Sequence, residues 1–190
     1  MLKECKDNLS NIRSVHLIST RTEKTDNSEI IFPSESYIII PDIKHIIYQA
    51  KGIGPMDVIE EWRFGEDKYV HYGDGRITIS EVKESYIFTE IIALESAVEP
   101  ISLEDEEIDE LARYSVEAKM PHDLKDIANG YNLVKLYIDK QELLLRKLVL
   151  ELEPIRYRDK IPETNDQKWA ESEYIEYNQA FQIDRPEVTK

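Results

Sequence analysis

The sequence is poor in cysteine, and Cys5 is its one thiol. An intramolecular disulfide and a cysteine-based zinc site are therefore excluded within these residues. Long apolar runs are also missing, since no stretch approaches the roughly eighteen residues that a transmembrane helix needs. Residues 1–5 lack the apolar region of a signal peptide. We therefore expect a cytoplasmic protein, or one whose leader precedes Met1.

Basic residues are also in short supply, with 24 Lys and Arg against 39 Asp and Glu and a formal net charge of -15. Such a field repels nucleic acid and anionic membrane surfaces over most of the molecule. We expect no nucleic-acid partner and interpret the acids as solvent-facing residues that keep the protein soluble. Hydrophobic residues make up 41% of the chain, which is enough for a core. The length fits one domain, residues 1–190, better than two.

Short matches to catalytic and metal-binding motifs are all incomplete. Asp74–Glu81 imitates half of a calcium-binding loop, but Val70 and Tyr72 stand where oxygen ligands are needed, so a hairpin turn is predicted instead. Ser80–Lys83 matches Ser-x-x-Lys without the partner motifs of that enzyme class. Gly52–Pro55 lacks the ending of a phosphate loop. The four histidines show no metal-ligand spacing and are interpreted as ordinary sheet or surface residues. We predict no catalytic residue, metal ligand or cofactor.

Apolar spacing predicts mostly strands with two helices. Spacings of three and four predict helices over residues 2–13 and 86–98. Alternation of apolar and charged residues predicts a strand at 113–120 with one wet face. Strands at 58–64, 69–72 and 76–80, separated by turn residues, predict a hairpin meander. Further strands are predicted at 15–20, 30–32, 37–40, 43–48, 133–138, 143–152, 169–177 and 181–183, followed by a polar tail at 186–190.

The second predicted helix has an apolar face that is wider than a surface helix needs. We expect it to lie on the concave face of a curved antiparallel sheet and to leave an apolar cavity there. Aromatic residues on the strands suit the lining of a groove, although cross-strand pairing in an ordinary sheet explains them too. The predicted cavity lining is Trp62, Phe64, Tyr69, Ile87, Ile91 and Leu94.

Three segments carry a resemblance to a known group of proteins: residues 134–140, 144–148 and 174–186. With the order of helix, strands, inserted helix and strands, they resemble the lipoprotein-carrier (LolA-like) and LppX-type lipoprotein superfamily. The resemblance implies an α+β fold, in which a curved antiparallel sheet forms an unclosed β-barrel with helices packed on its concave face. It also implies an apolar cavity for acyl chains and an extracytoplasmic address through a lipidated cysteine. We do not equate Cys5 with that anchor, and no ligand-contacting residue of the family matches.

These observations favour a non-enzymatic binding or carrier domain for a hydrophobic ligand such as lipid acyl chains. An alternative is a protein-interaction or sensor domain of the same fold with a filled interior. Its recognition surface would be the exposed sheet edges and the acidic segment Glu104–Glu110, although residues 104–107 are more typical of a solvated loop than of a binding site. An enzyme built on two converging carboxylates also stays open, because spacing does not show which acids meet.

Overall fold

The computed structural model describes residues 1–25, 28–49, 58–82, 98–103, 106–108, 111–121, 131–152 and 167–188. These residues form one helix and twelve strands. The helix is α1 (Leu2–Leu9), and the strands are β1 (Ser14–Thr25), β2 (Ser28–Ile39), β3 (Ile43–Tyr48), β4 (Val58–Phe64), β5 (Asp67–Tyr72), β6 (Ile77–Glu81), β7 (Val98–Ser102), β8 (Glu106–Ile108), β9 (Leu111–Pro121), β10 (Tyr131–Asp139), β11 (Leu145–Leu152) and β12 (Gln167–Tyr177).

The strands form one hydrogen-bonded series in the order β6-β5-β4-β3-β2-β1-β12-β11-β10-β9-β7, with β8 pairing separately with β9. In the described part of the chain, β6 and β7 stand at opposite ends of this order, so the sheet does not close on itself. The predicted fold class, α+β with an unclosed antiparallel sheet, is confirmed. Residues 86–97 of the second predicted helix lie outside the described residues. Val98, the last residue of that predicted helix, begins β7.

Two compact units are distinguished by their internal contacts. The first comprises Met1–Asn11, Arg21–Ile31 and Glu90–Glu173, and the second comprises Ile12–Thr20, Phe32–Thr89 and Tyr174–Lys190. The expectation of one domain over residues 1–190 stays a prediction.

The core of the first unit lies on one face of β9, β10 and β11. Leu136 pairs with Val116 on β9 and with Leu148 on β11, and all three side chains are buried. Burial of such a side chain contributes about 1.5–3 kcal/mol. The preceding residue, Lys135, pairs with Glu117 on the opposite face. The alternation predicted for 113–120 is found from Val116 to Lys119. Arg113 and Ser115, which were predicted on the wet face, are buried.

Helix α1 presents Cys5 and Leu9, four residues apart, as fully buried side chains. It ends there because Ser10 donates from both its N–H and its hydroxyl to a carbonyl four residues earlier, each at 2.9 Å. Asn11 bonds a nearby carbonyl with its side chain in the same way, and both residue types favour helix ends. The prediction that the helix continues to residue 13 is wrong, although Ile12 is buried outside it.

Burial raises the pKa of the Cys5 thiol to about 12, because apolar surroundings disfavour the thiolate. We expect Cys5 in the folded protein to react negligibly with an aromatic disulfide reagent at about pH 8, and to react fully after unfolding in urea. Absorbance of the released thiolate measures both rates. Rapid reaction of one thiol per chain in native buffer would contradict this placement.

Strand β2 runs without a break through Pro33, where two separate strands are predicted. The paired register with β3 begins at Ser34, one residue after the proline. Pro33 has no N–H to donate, but no hydrogen bond of that register is lost because Pro33 lies outside it. The Pro33 carbonyl still accepts a hydrogen bond from the N–H of Gln49 at 3.0 Å. The prediction of a break at this proline is therefore wrong.

The predicted meander is confirmed as β4, β5 and β6, and β4 has the predicted bounds. Gly65, with a φ of 62°, makes the first turn, and Gly75, with a φ of 84°, makes the second. Asp74 accepts a hydrogen bond from the N–H of Arg76 at 2.9 Å, which is an Asx turn. The calcium-like sequence is thus a hairpin turn, as predicted.

Two segments differ from their predictions. Residues 106 and 107, predicted as part of an acidic loop, belong to β8 and pair with β9. Residues 181–183, predicted as a strand, lie in the segment 178–188, which is not part of the sheet. The ring of Phe181 packs against Tyr37 of the sheet instead.

Candidate functional site

A row of rings crosses one face of the second unit, and we call it the aromatic row. The register sets Tyr37, His45 and Trp62 directly opposite one another on β2, β3 and β4. His45 stacks on Trp62 with ring centroids 4.9 Å apart and an interplanar angle of 9°. At one end His16 stacks on Tyr37 at 4.5 Å, and at the other His71 lies 6.3 Å from Trp62. These three histidines are sheet residues, as expected, and His122 lies outside the described residues.

Carboxylates accompany the histidines of the aromatic row. Glu35 accepts hydrogen bonds from the Tyr37 hydroxyl at 2.6 Å and from His16 at 2.7 Å. Glu176 lies 3.6 Å from the other nitrogen of His16. Glu60 lies 3.3 Å from His45. The Tyr37 hydroxyl and His16 hold the pKa of Glu35 below its usual range, and Glu35 in turn raises the pKa of Tyr37 to about 12.

Glu35 should make the stability of the fold depend on pH in the acidic range. The pKa of Glu35 is lower in the folded state than in the unfolded state. Its contribution to the free energy of unfolding is therefore fully present above about pH 4.3, and it is lost as the pH falls through the folded pKa. We expect Glu35→Gln to be less stable than the wild type at about pH 7, with the difference shrinking toward about pH 3. Urea unfolding at several pH values measures it, with Glu81→Gln as an exposed control. A difference that stays constant with pH would count against this role.

The segment 178–188 packs on the face that carries the aromatic row. The ring of Phe181 meets Tyr37 edge-on at 5.4 Å. The Arg185 guanidinium lies 5.0 Å from the centre of the Phe64 ring, and one of its nitrogens is 3.5 Å from the Tyr69 hydroxyl. Asn178, with a left-handed φ of 58°, anchors the start of the segment, because its side chain accepts a hydrogen bond from a backbone N–H of the second unit at 2.8 Å.

The opposite face carries three cations in register. Lys44 on β3 pairs with Arg63 on β4, and Arg63 pairs with Lys68 on β5. Lys68 lies 2.7 Å from Glu61. These residues line a pocket of about 240 Å³, which we call the cationic pocket. Its lining is Lys44, Ile46, Glu61, Trp62, Arg63, Lys68 and Val82.

The predicted cavity residues that the structure describes lie on the face of the aromatic row. Trp62 belongs to that row, so its side chain lies opposite the three cations and only its backbone can reach the cationic pocket. Phe64 and Tyr69 pack edge-on at 6.1 Å on the face of the aromatic row, where both contact Arg185. The other three predicted residues lie outside the described residues: Ile87, Ile91 and Leu94.

Sequence reasoning missed the three pocket cations. A signal was present, because Lys44 and Arg63 each interrupt an otherwise apolar or aromatic strand, in Ile43–Ile47 and Trp62–Phe64. Strand spacing alone does not reveal that they meet, since the register between strands brings them together.

The described residues contain neither a metal-binding cluster nor a membrane-spanning helix. Where the structure describes the chain, no group of three or more His, Cys, Asp or Glu side chains is placed to hold a metal ion. In the same part of the chain, no helix is both long and apolar enough to cross a membrane.

Known proteins match this chain in structure and not in sequence. No known protein family matches the sequence, and no curated protein matches it either. The lipoprotein LppX of Mycobacterium tuberculosis aligns with a TM-score of 0.58 at 12% identity, over 96% of each chain. LprF of Mycobacterium bovis aligns with a TM-score of 0.62 at 13% identity, over 97% of this chain and 94% of its own. The chain has the LppX-type fold. The resemblance found in the sequence is confirmed at the level of the fold.

Proposed function

We propose that this chain is a non-enzymatic binding or carrier domain for a hydrophobic ligand, such as the acyl chains of a lipid. The fold carries the proposal, since it is shared with LppX and LprF over nearly the whole length of each chain. LppX is a lipoprotein. Non-covalent binding of this kind needs no chemical step, because affinity comes from burying apolar area at roughly 25 cal/mol per Å².

The proposed ligand-contacting residues are Trp62, Phe64 and Tyr69 from the meander, with Ile87, Ile91 and Leu94 from the predicted second helix. Trp62, Phe64 and Tyr69 support the proposal together, because their side chains lie on one face of the meander. A ligand there would share that aromatic surface with the chain's own Arg185. Aromatic rings with polar tips suit such a mixed surface.

We also propose an extracytoplasmic address, which the lipoprotein LppX supports. Binding of a leader-bearing full-length protein to the membrane fraction of cells, and its accessibility to protease added to intact cells, would test this. Protease resistance in intact cells together with recovery in the cytosol would remove the proposal.

Lipid binding should raise thermal stability, because a ligand that binds only the folded state stabilises it by mass action. At a lipid concentration about one hundred times Kd the gain is about 2.7 kcal/mol. For a chain of this size that is a rise in Tm of about 5–10 °C. Differential scanning fluorimetry with single-chain lipids measures it, with an uncharged soluble sugar as the control. The absence of any shift across lipids of varied chain length would oppose the proposal.

A second candidate function is protein recognition by strand addition. The two end strands expose large apolar side chains, since Ile79 on β6 is 54% exposed and Ile101 on β7 is 60% exposed. An end strand offers unpaired backbone groups to an extended segment of a partner. If this is the function, Ile79→Lys should abolish retention of a partner while lipid uptake is unchanged. A variant that retains the partner would remove this candidate.

A further inference from the structure

The three cations of the cationic pocket stand in one row across the sheet. Lys44, Arg63 and Lys68 occupy directly opposed positions on three adjacent strands. The chain as a whole has 39 acidic and only 24 basic residues, so this local group of cations departs from its composition. An anion in the pocket would be attracted by all three positive charges.

The lining of the pocket combines charge with apolar surface. Among the described residues that line it, three cations share the pocket with one carboxylate, Glu61, and with the apolar residues Ile46 and Val82. Its volume of about 240 Å³ lies below the roughly 300 Å³ at which drug-sized ligand pockets begin. The space therefore suits a compact charged group with a short apolar stem, and not an entire lipid.

The existing hydrogen bonds show how an anion would enter. Glu61 holds Lys68 at 2.7 Å with one oxygen and accepts a hydrogen bond from the Tyr48 hydroxyl at 3.3 Å with the other. Arg63 donates from Nε to the Gly65 carbonyl at 2.9 Å, which orients the guanidinium. An incoming anion competes with Glu61 for Lys68, and Tyr48 remains a partner for the displaced carboxylate.

We propose that the cationic pocket binds the anionic head group, a phosphate or carboxylate, of an amphiphilic ligand. The guanidinium of Arg63 matches the planar geometry of such an anion, and the ammonium groups of Lys44 and Lys68 act as point charges on either side. The inference rests on the proposed function for the apolar tail of the ligand. The head-group site itself is argued from the register and the lining alone.

The test compares two single-chain ligands that differ only in charge, dodecyl phosphate and dodecanol, together with inorganic phosphate. Titration calorimetry gives Kd for each. We expect dodecyl phosphate to bind at least about tenfold more tightly than dodecanol, because a hydrogen bond to a charged group is worth about one to two decades in affinity. Raising salt from about 0.1 M to about 1 M should weaken the phosphate ligand and leave the alcohol nearly unchanged.

Two substitutions should move affinity in opposite directions. Arg63→Gln should raise Kd for dodecyl phosphate about tenfold with little effect on dodecanol. Glu61→Gln removes the competing negative charge and keeps the hydrogen bond to Tyr48, so it should lower Kd for dodecyl phosphate. A change that merely loosened the structure would weaken both ligands in both variants. Arg76→Gln, an exposed cation of the same unit that does not line the pocket, is the matched control.

Each outcome is decisive. Equal binding of the two dodecyl ligands, unaffected by Arg63→Gln, would overturn the head-group site and leave the proposed function standing. Binding of inorganic phosphate that depends on Arg63, without binding of either amphiphile, would support an anion site for free phosphate and remove the proposed function. If none of the three ligands binds, both proposals fall.

Discussion

Leu136→Ala is expected to lower the free energy of unfolding by about 3 kcal/mol, within the range of about 2–5 kcal/mol found for buried leucines. Leu136 is fully buried and is paired on both sides, with Val116 and with Leu148. Truncation removes apolar area and leaves a cavity that well-ordered strands on either side do not readily fill. A loss of this size is a large share of the roughly 5–15 kcal/mol that holds an ordinary domain folded.

Urea unfolding followed by circular dichroism measures this change. Ile79→Ala, on an exposed position of β6, is the control and should shift stability by no more than about 0.5 kcal/mol. The midpoint should move while the slope stays constant, since the same surface is exposed on unfolding. Equal effects of the two substitutions would mean that the face of β10 carrying Leu136 is not the core of the first unit.

Leu94→Arg should abolish lipid uptake, lowering affinity by at least about a hundredfold, because an unpaired charge in an apolar cavity is costly by several kcal/mol. The prediction follows from the apolar stripe of residues 86–98 in the sequence. Leu94→Met, which conserves volume and apolar character, is the matched control. Both variants are compared with the wild type by scintillation counting of bound radiolabelled lipid after gel filtration.

Unchanged uptake by Leu94→Arg would mean that the predicted second helix does not line the cavity. The thermal midpoint of each variant distinguishes lost binding from lost folding, since a folded Leu94→Arg protein that takes up lipid normally contradicts the assignment directly. The head-group site would be unaffected by that outcome, because it rests on β3, β4 and β5.

Local patterns predicted the meander well. Strand β4 has the bounds that its sequence indicates, because Gly65 can adopt the positive φ of the turn that ends it. The alternation in β9 was informative in part, since Val116 and Ala118 are buried as predicted, but Arg113 and Ser115 on the other face are buried too. These elements are set by residues that are neighbours in the sequence.

Local patterns failed where a distant partner decides the structure. Pro33 would end an isolated strand, but the register of β2 with β3 begins just beyond it. Ile12 has helical spacing and is buried outside the helix, because Ser10 and Asn11 end α1 first. The local sequence predicts a strand at Phe181, but this residue lies outside the sheet and its ring packs on Tyr37.

The candidate site was predicted in part. Trp62, Phe64 and Tyr69 were singled out, and all three lie on the face of the aromatic row. Lys44 and Arg63 were missed because they are about twenty residues apart in sequence and become neighbours through pairing of β3 with β4. The aromatic row escaped detection for the same reason, since His16, His45 and His71 come from three different strands.

Mass spectrometry of an organic-solvent extract of the purified, folded protein tests the central claim most directly. The extract is taken before and after incubation with a mixed lipid pool and re-isolation by gel filtration. We predict close to one lipid per chain after incubation, enriched in species with an anionic head group. An extract that contains no lipid, before and after incubation with the pool, would contradict the account and would leave recognition through the strand edges as the function to pursue.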